Sequence, residues 1–73
     1  MNRDILEGKW KQLKGAARTQ WGKLTDDDVD IVAGNYEQLV GRLQERYGVD
    51  KEEASKMVDD WNWKQVLSIS LGR

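Results

Sequence analysis

Four acidic residues in the middle of the chain have the spacing of a calcium ligand set. In sequence order they are Asp26, Asp28, Asp30 and Glu37. They match positions 1, 3, 5 and 12 of an EF-hand loop. That loop needs glycine at position 6 for its sharp turn, and this chain has Ile31 there. Thr25 and Asp28 instead form a capping box, which predicts a helix start, so we expect no metal and no other cofactor.

The side chains that most often perform acid–base or nucleophilic catalysis are absent or poorly placed. The chain has no His and no Cys. Asp59 and Asp60 are adjacent, so on a helix their carboxylates would point about 100° apart. We therefore predict no catalytic residue and no enzyme activity. We also expect no small-molecule substrate, because so short a chain offers little room for a pocket.

Three basic residues near the N-terminus have a spacing that suits phosphate contacts. Lys11, Lys14 and Arg18 follow one another at i, i+3 and i+7, which places them on one stripe of a helix. A weak nucleic-acid-binding module is therefore the alternative function. The acidic sequence pI of 5.3 argues against it, and a solvated basic face is the commoner meaning of such a stripe. We expect any association to be salt-sensitive.

Charge is divided unevenly along the 73 residues, although the formal net charge is only −1. Residues 1–23 carry six basic and two acidic side chains, a net +4, whereas the remainder carry six basic and eleven acidic ones, a net −5. The basic part could bind nucleic acid or anionic lipid, or the two parts could attract each other within one fold. We favour the second interpretation.

Membrane association and compartment follow from where the apolar residues lie. Insertion through Trp10, Leu13 and Trp21 would use the same face that must build the core, so we expect no stable membrane association. No apolar run approaches the length of a membrane span, and cysteine is absent. These features predict a cytoplasmic protein, and we expect a monomer.

Apolar residues recur at helical spacing and predict three to four short helices. The first stripe, from Leu6 to Trp21, predicts one helix that stops at Gly22. The second stripe runs in phase across Gly34-Asn35, which permits either one helix or two between residues 26 and 47. Asp50 caps the last helix. We expect one core formed by Trp10, Leu13, Trp21, Leu39, Leu43, Val58 and Trp61.

A 26-residue repeat underlies these stripes. Gly8-Lys-Trp10-Lys-Gln12-Leu13-Lys-Gly15 returns as Gly34-Asn-Tyr36-Glu-Gln38-Leu39-Val-Gly41. A repeat this short predicts a duplicated supersecondary unit. Its glycines recur every seven residues and fall opposite the apolar stripe. That side is either approached closely by another helix or partner, or simply solvated.

Several strings of the chain are too specific for a generic helical bundle. They are Trp10-Lys-Gln12-Leu13-Lys-Gly15, Gln20-Trp21-Gly22-Lys23-Leu24-Thr25-Asp26-Asp27-Asp28, Gln38-Leu39-Val40-Gly41, Gln44-Glu45-Arg46-Tyr47-Gly48, Lys51-Glu52-Glu53-Ala54 and Asp60-Trp61. In these strings the chain resembles the CsbD-like family of small bacterial general-stress proteins. The resemblance implies two packed helical hairpins similar to SAM-like folds, abundance under stress, and no established molecular activity.

The resemblance ends after Trp61 and divides the chain. We expect a CsbD-like helical domain at residues 1–63 and a frayed or disordered C-terminal tail at residues 64–73. Together with the residue analysis, it predicts a non-enzymatic bacterial stress-response protein with a protective or interaction role. Its partner is unknown.

Overall fold

The structure is a computed structural model that describes residues 3–61, and its regular secondary structure in this range is all helical. Its helices are α1 (Arg3–Gly8), α2 (Trp10–Gln20), α3 (Asp26–Val32), α4 (Tyr36–Tyr47) and α5 (Lys51–Asp59). The prediction of an all-α fold is confirmed, but the predicted number of three to four helices is too low. The predicted tail at residues 64–73 lies outside the described residues. The hairpin arrangement and the likeness to SAM-like folds stay predictions.

The first predicted helix is in fact two helices, and the bend between them lies at Lys9. This residue caps α2 with φ −114° and ψ 15°. Its backbone N–H still donates to the Ile5 carbonyl at 2.8 Å, and its own carbonyl accepts from Leu13 N–H at 3.0 Å. The chain therefore bends without opening a loop. Beyond α2, α1 contacts α4 and packs against the turn between α3 and α4.

The Gly34-Asn35 step separates two helices, which decides the question that periodicity left open. Ala33 and Gly34 both have left-handed backbone, with φ 47° and 81°. Asn35 then caps α4 by accepting a hydrogen bond from Gln38 N–H at 2.9 Å. A Cβ on Gly34 would lie 2.8 Å from Glu7 Cα. Glycine is required here because the backbone of α1 packs directly against this turn.

The predicted helix caps are present. Asp28 N–H donates to the Thr25 hydroxyl at 3.1 Å, and Thr25 N–H donates to the Asp28 carboxylate at 3.0 Å, which completes the capping box. Asp50 caps α5 by accepting from Glu53 N–H at 2.7 Å. Gly48 ends α4 in left-handed conformation. Each cap satisfies backbone N–H or C=O groups that a helix end leaves unpaired.

The seven predicted core residues are all buried, so this prediction is confirmed. The rings of Trp21 and Trp61 pack with their centroids 5.0 Å apart at an angle of 60°. The indole N–H of Trp10 donates to the Val29 carbonyl at 2.9 Å, which satisfies the only polar atom of that buried ring. The two ends of the described chain are therefore tied into one core.

The 26-residue repeat stays a prediction at the level of structure. Trp10 and Tyr36, which match in the repeat, do begin α2 and α4. The matching glycines differ, however, because a Cβ on Gly8 would meet nothing within 4 Å whereas one on Gly34 would clash with α1. The repeated sequence thus forms helices at matching positions, but their surroundings are not equivalent.

Candidate functional site

A cleft of about 730 Å³ lies between α2 and α3 on the described surface. We call it the α2–α3 groove. Its charged residues are Lys11, Lys14, Arg18, Asp26 and Asp30. All three residues of the predicted basic stripe therefore lie on one face and line one groove. They share it with two carboxylates that the sequence analysis had assigned to a helix start.

Two of the three basic residues are paired across the groove. Arg18 Nη1 lies 2.6 Å from Asp26 Oδ1, and Lys14 Nζ lies 3.6 Å from Asp30 Oδ1. These side chains are 45% to 81% exposed, so water screens both pairs. This arrangement supports the interpretation that the basic N-terminal part and the acidic part attract each other. It leaves the groove with a formal charge of +1.

The acidic residues with EF-hand spacing do not converge. Asp26 and Asp30 contact α2, whereas Glu37 lies 3.8 Å from Arg3 of α1. Asp28 points the other way, into the interface of α3 with α4. Within residues 3–61, no His, Cys, Asp and Glu side chains form a group that could hold a metal ion. The helical backbone spreads these carboxylates around α3, whereas a calcium loop would gather them.

Asp28 is the one buried charged residue of the described chain, with 1% exposure. Arg46 donates to both of its carboxylate oxygens, from Nε at 2.8 Å and from Nη2 at 3.0 Å. Chiefly through this hydrogen bond, and with help from Thr25, the pKa of Asp28 falls to about 2, although burial acts to raise it. The same contact raises the pKa of Arg46. Asp28 is therefore ionised at neutral pH and joins α3 to α4.

Tyr36 joins three helices at the other end of α4. Its hydroxyl donates to Asp59 at 3.0 Å, and the Arg3 guanidinium lies 4.5 Å from its ring centroid. Burial is the main cause that raises the pKa of Tyr36 above its ordinary value. The hydroxyl is protonated at neutral pH and donates a hydrogen bond that joins α4 to α5.

Sequence reasoning missed the Asp28–Arg46 pair and the close contact at Gly34. The capping box identified Asp28 only as a local cap. The available signal was Arg42 and Arg46, one helical turn apart on the predicted α4. Glu45 stands three residues after Arg42 and pairs with it, whereas Arg46 has no acidic residue three or four positions away within that helix. For Gly34 the signal was the Gly-Asn pair itself, a weak indication of a turn.

Trp10, Leu13 and Trp21, the face considered for membrane insertion, are buried in the core. None of the helices in residues 3–61 combines the length and the apolar character that a bilayer crossing requires.

Proteins from several bacteria are similar to this chain over most of its length. The CsbD-like family matches residues 4–56. The UPF0337 protein ECA0631 of Pectobacterium atrosepticum is 59% identical over 61 residues, which cover 84% of this chain and 88% of that relative. UPF0337 protein YjbJ of Escherichia coli K12 is 57% identical with the same coverage. UPF0337 protein PA4738 of Pseudomonas aeruginosa is 53% identical over 62 residues, 85% of this chain and 95% of the relative. The chain belongs to the CsbD-like family.

Proposed function

We propose that this chain is a non-enzymatic stress-response protein of the bacterial cytoplasm, which protects other macromolecules or binds one of them. Membership of the CsbD-like family supports the stress role, since the resemblance is to small general-stress proteins. The relatives ECA0631, YjbJ and PA4738 come from bacteria. We propose that the chain acts as a monomer.

The observation that carries the non-enzymatic part is the use of charged side chains within the fold. Catalytic carboxylates are generally tuned toward neutral pKa so that they can exchange a proton during turnover. The buried carboxylate of Asp28 is tuned in the opposite direction, to about 2, by its contact with Arg46. The carboxylates of the α2–α3 groove are exposed and face lysine and arginine. This pattern suits ion pairs that hold helices together.

The absence of histidine and cysteine supports the same conclusion. Histidine is the side chain whose ordinary pKa lies closest to neutral, and cysteine is the strongest common nucleophile. The full chain has neither. A protein that acts by stoichiometric contact does not need them.

The test is a strain of the source bacterium that lacks this gene, challenged by osmotic shock and by drying. We expect reduced survival, restored by the unaltered gene and by Gly8→Ala, where an added Cβ meets nothing within 4 Å. Gly34→Ala, which places a Cβ against α1, should not restore survival. A deletion strain that survives both stresses as well as its parent would contradict the stress role.

A second measurement separates protection from catalysis. Purified protein is mixed at increasing mole ratio with a drying-sensitive enzyme, and the enzyme activity that remains after drying is recorded. A protective protein acts in proportion to its amount, so recovery should rise until the two are near equal concentration. Full recovery at a small fraction of that ratio would indicate turnover and would contradict the non-enzymatic part of the proposal.

A further inference from the structure

The α2–α3 groove contains cations whose present partners are weakly held. Asp26 is 81% exposed and Asp30 is 65% exposed, although they face Arg18 and Lys14. Ion pairs this exposed contribute little to stability and exchange readily with other anions. The groove therefore presents cation positions that an external anion could occupy after displacing a carboxylate.

The geometry of α2 suits a row of phosphates. Lys11 and Arg18 are seven residues apart, so they are separated by about 10.5 Å along the helix axis. One strand of a nucleic acid duplex advances about 3.4 Å per nucleotide along the duplex axis, so the basic stripe is as long as about three nucleotide steps. Between the cations lies Gly15, where an added Cβ would meet nothing within 4 Å. The backbone of α2 is thus open to close approach at the centre of the stripe.

The lining of the groove favours a nucleic acid over an acidic peptide. Val29 is its one large apolar lining residue, and it is itself 3% exposed. A peptide partner usually needs an aromatic or aliphatic anchor in a buried pocket. Binding to a phosphodiester backbone needs no such anchor, because it depends on charge and counterion release.

We propose that the α2–α3 groove binds the phosphodiester backbone of nucleic acid, without sequence preference, and that Asp26 and Asp30 compete for the same cations. The two carboxylates take the places of two phosphates on Arg18 and Lys14. Lys11 has no carboxylate partner among residues 3–61 and makes the first contact. This inference goes beyond the stress role and does not depend on it.

Binding to a labelled random-sequence DNA duplex, measured by fluorescence anisotropy at about 50 mM salt, tests the proposal. The variant Asp26→Asn with Asp30→Asn should bind at least about fivefold tighter than the unaltered chain, because two weak internal competitors are removed. Adding Lys14→Ala and Arg18→Ala to this variant should abolish the gain. The salt dependence of the tighter variant should show a log–log slope near −2.7, about 0.9 for each of three phosphates.

A matched control removes the same amount of charge elsewhere. Glu52 and Glu53 are exposed on α5, and no residue of α5 lines the groove. Glu52→Gln with Glu53→Gln should change affinity by less than about twofold, because neither side chain lines the groove and salt weakens the interactions of exposed charges. An equal gain in this control would show that net charge acts and the groove does not, and would overturn the proposal.

Further outcomes would also overturn it. The first is a folded Asp26→Asn, Asp30→Asn variant with no gain in DNA affinity. The second is a comparable gain toward poly-glutamate, which would show that the groove accepts acidic polymers in general. Circular dichroism monitors whether each variant is folded. If Asp26→Asn, next to the Thr25 cap, unfolds the chain, Asp30→Asn is measured alone in its place. Survival of the deletion strain is measured separately, so the stress role and the groove can fail independently.

Discussion

The two segments that match at the 26-residue offset use their aromatic residues differently. In the first segment, Trp10 and Trp21 are 7% and 4% exposed and belong to the core. In the second, Tyr36 and Tyr47 are half-buried, and their hydroxyls form hydrogen bonds near the surface. The same helical position is therefore a core position in one segment and an edge position in the other.

The same contrast holds for the residues beside the aromatics. Lys14 lines the open α2–α3 groove, whereas Val40, its match in the second segment, is 2% exposed. This difference in exposure follows from the neighbouring helices. In the described chain α4 packs against both α3 and α5, whereas α2 has no contact with α5. A repeated sequence thus specifies repeated helices, and packing decides which of their faces is covered.

The glycines provide the largest expected difference between the segments. Gly34→Ala should destabilise the fold by about 2–5 kcal/mol, because it combines left-handed backbone strain with overpacking against Glu7. Gly8→Ala, at the matching position, should leave stability unchanged or slightly higher. Urea unfolding of both variants measures the contrast. Equal stability of the two would contradict the packing of α1 on the α3–α4 turn.

The second-largest expected effect on stability concerns the ion pairs, which differ in burial between the two segments. Arg18 of the first segment meets an exposed carboxylate, whereas Arg46 of the second meets buried Asp28. Asp28→Asn should therefore destabilise the fold by about 2 kcal/mol at neutral pH, as the lowered pKa implies. Asp27→Asn, in the same helical turn but exposed, should change stability by less than about 0.5 kcal/mol.

Acid should remove the effect of Asp28. Its pKa is lower in the folded chain than in the unfolded chain, so its contribution is full above the ordinary value of 3.8 and is lost as the pH falls through about 2. Denaturant midpoints recorded from pH 7 downward should therefore converge for the unaltered chain and Asp28→Asn. A constant gap between them down to pH 2 would show that the pair does not depend on the charge of Asp28.

Gly15 and Gly41 match in the repeat and should behave alike, which sharpens the comparison. At both positions a Cβ would meet nothing within 4 Å. Each change to alanine should stabilise by about 0.5–1 kcal/mol, through helix propensity and a less flexible unfolded chain. Calorimetry should show a rise in Tm of roughly 2–8 °C per site. Gly48→Ala, where φ is 65°, is the contrasting control and should lower Tm. A fall at Gly15 or Gly41 would indicate a covered face.

The smallest expected effect belongs to the groove itself. Lys14→Ala and Arg18→Ala should each change the free energy of unfolding by less than about 0.5 kcal/mol, because their ion pairs are exposed. That difference should shrink further with added salt. Denaturation with urea at low and high salt measures it. A larger loss of unfolding free energy would show that the ion pairs of the groove stabilise the fold.

Local features of the fold were predictable from sequence. Thr25 and Asp50 cap helices because a side-chain oxygen reaches a backbone N–H only three residues away. Trp10 and Leu39 are buried because apolar spacing defines one face of each helix. The bend at Lys9 was not predictable in the same way, since the apolar phase continues through it.

Half of the candidate site was predictable for the same reason. Lys11, Lys14 and Arg18 share a face because residues three, four and seven apart on a helix are neighbours. Their pairing with Asp26 and Asp30 was not predictable, because it depends on how α3 returns alongside α2.

The sequence by itself determined the helices, most of their ends, the buried stripe and membership of the CsbD-like family. These properties depend on residues within one or two helical turns, or on identity to relatives. Only the tertiary structure decided that Gly34 lies under α1, that Asp28 is held by Arg46, and that one groove is open. The first two contacts join residues 18 or more positions apart, and the third feature depends on which helix faces are covered. The periodicity of apolar residues carries no information about contacts between distant residues or about which faces other helices cover.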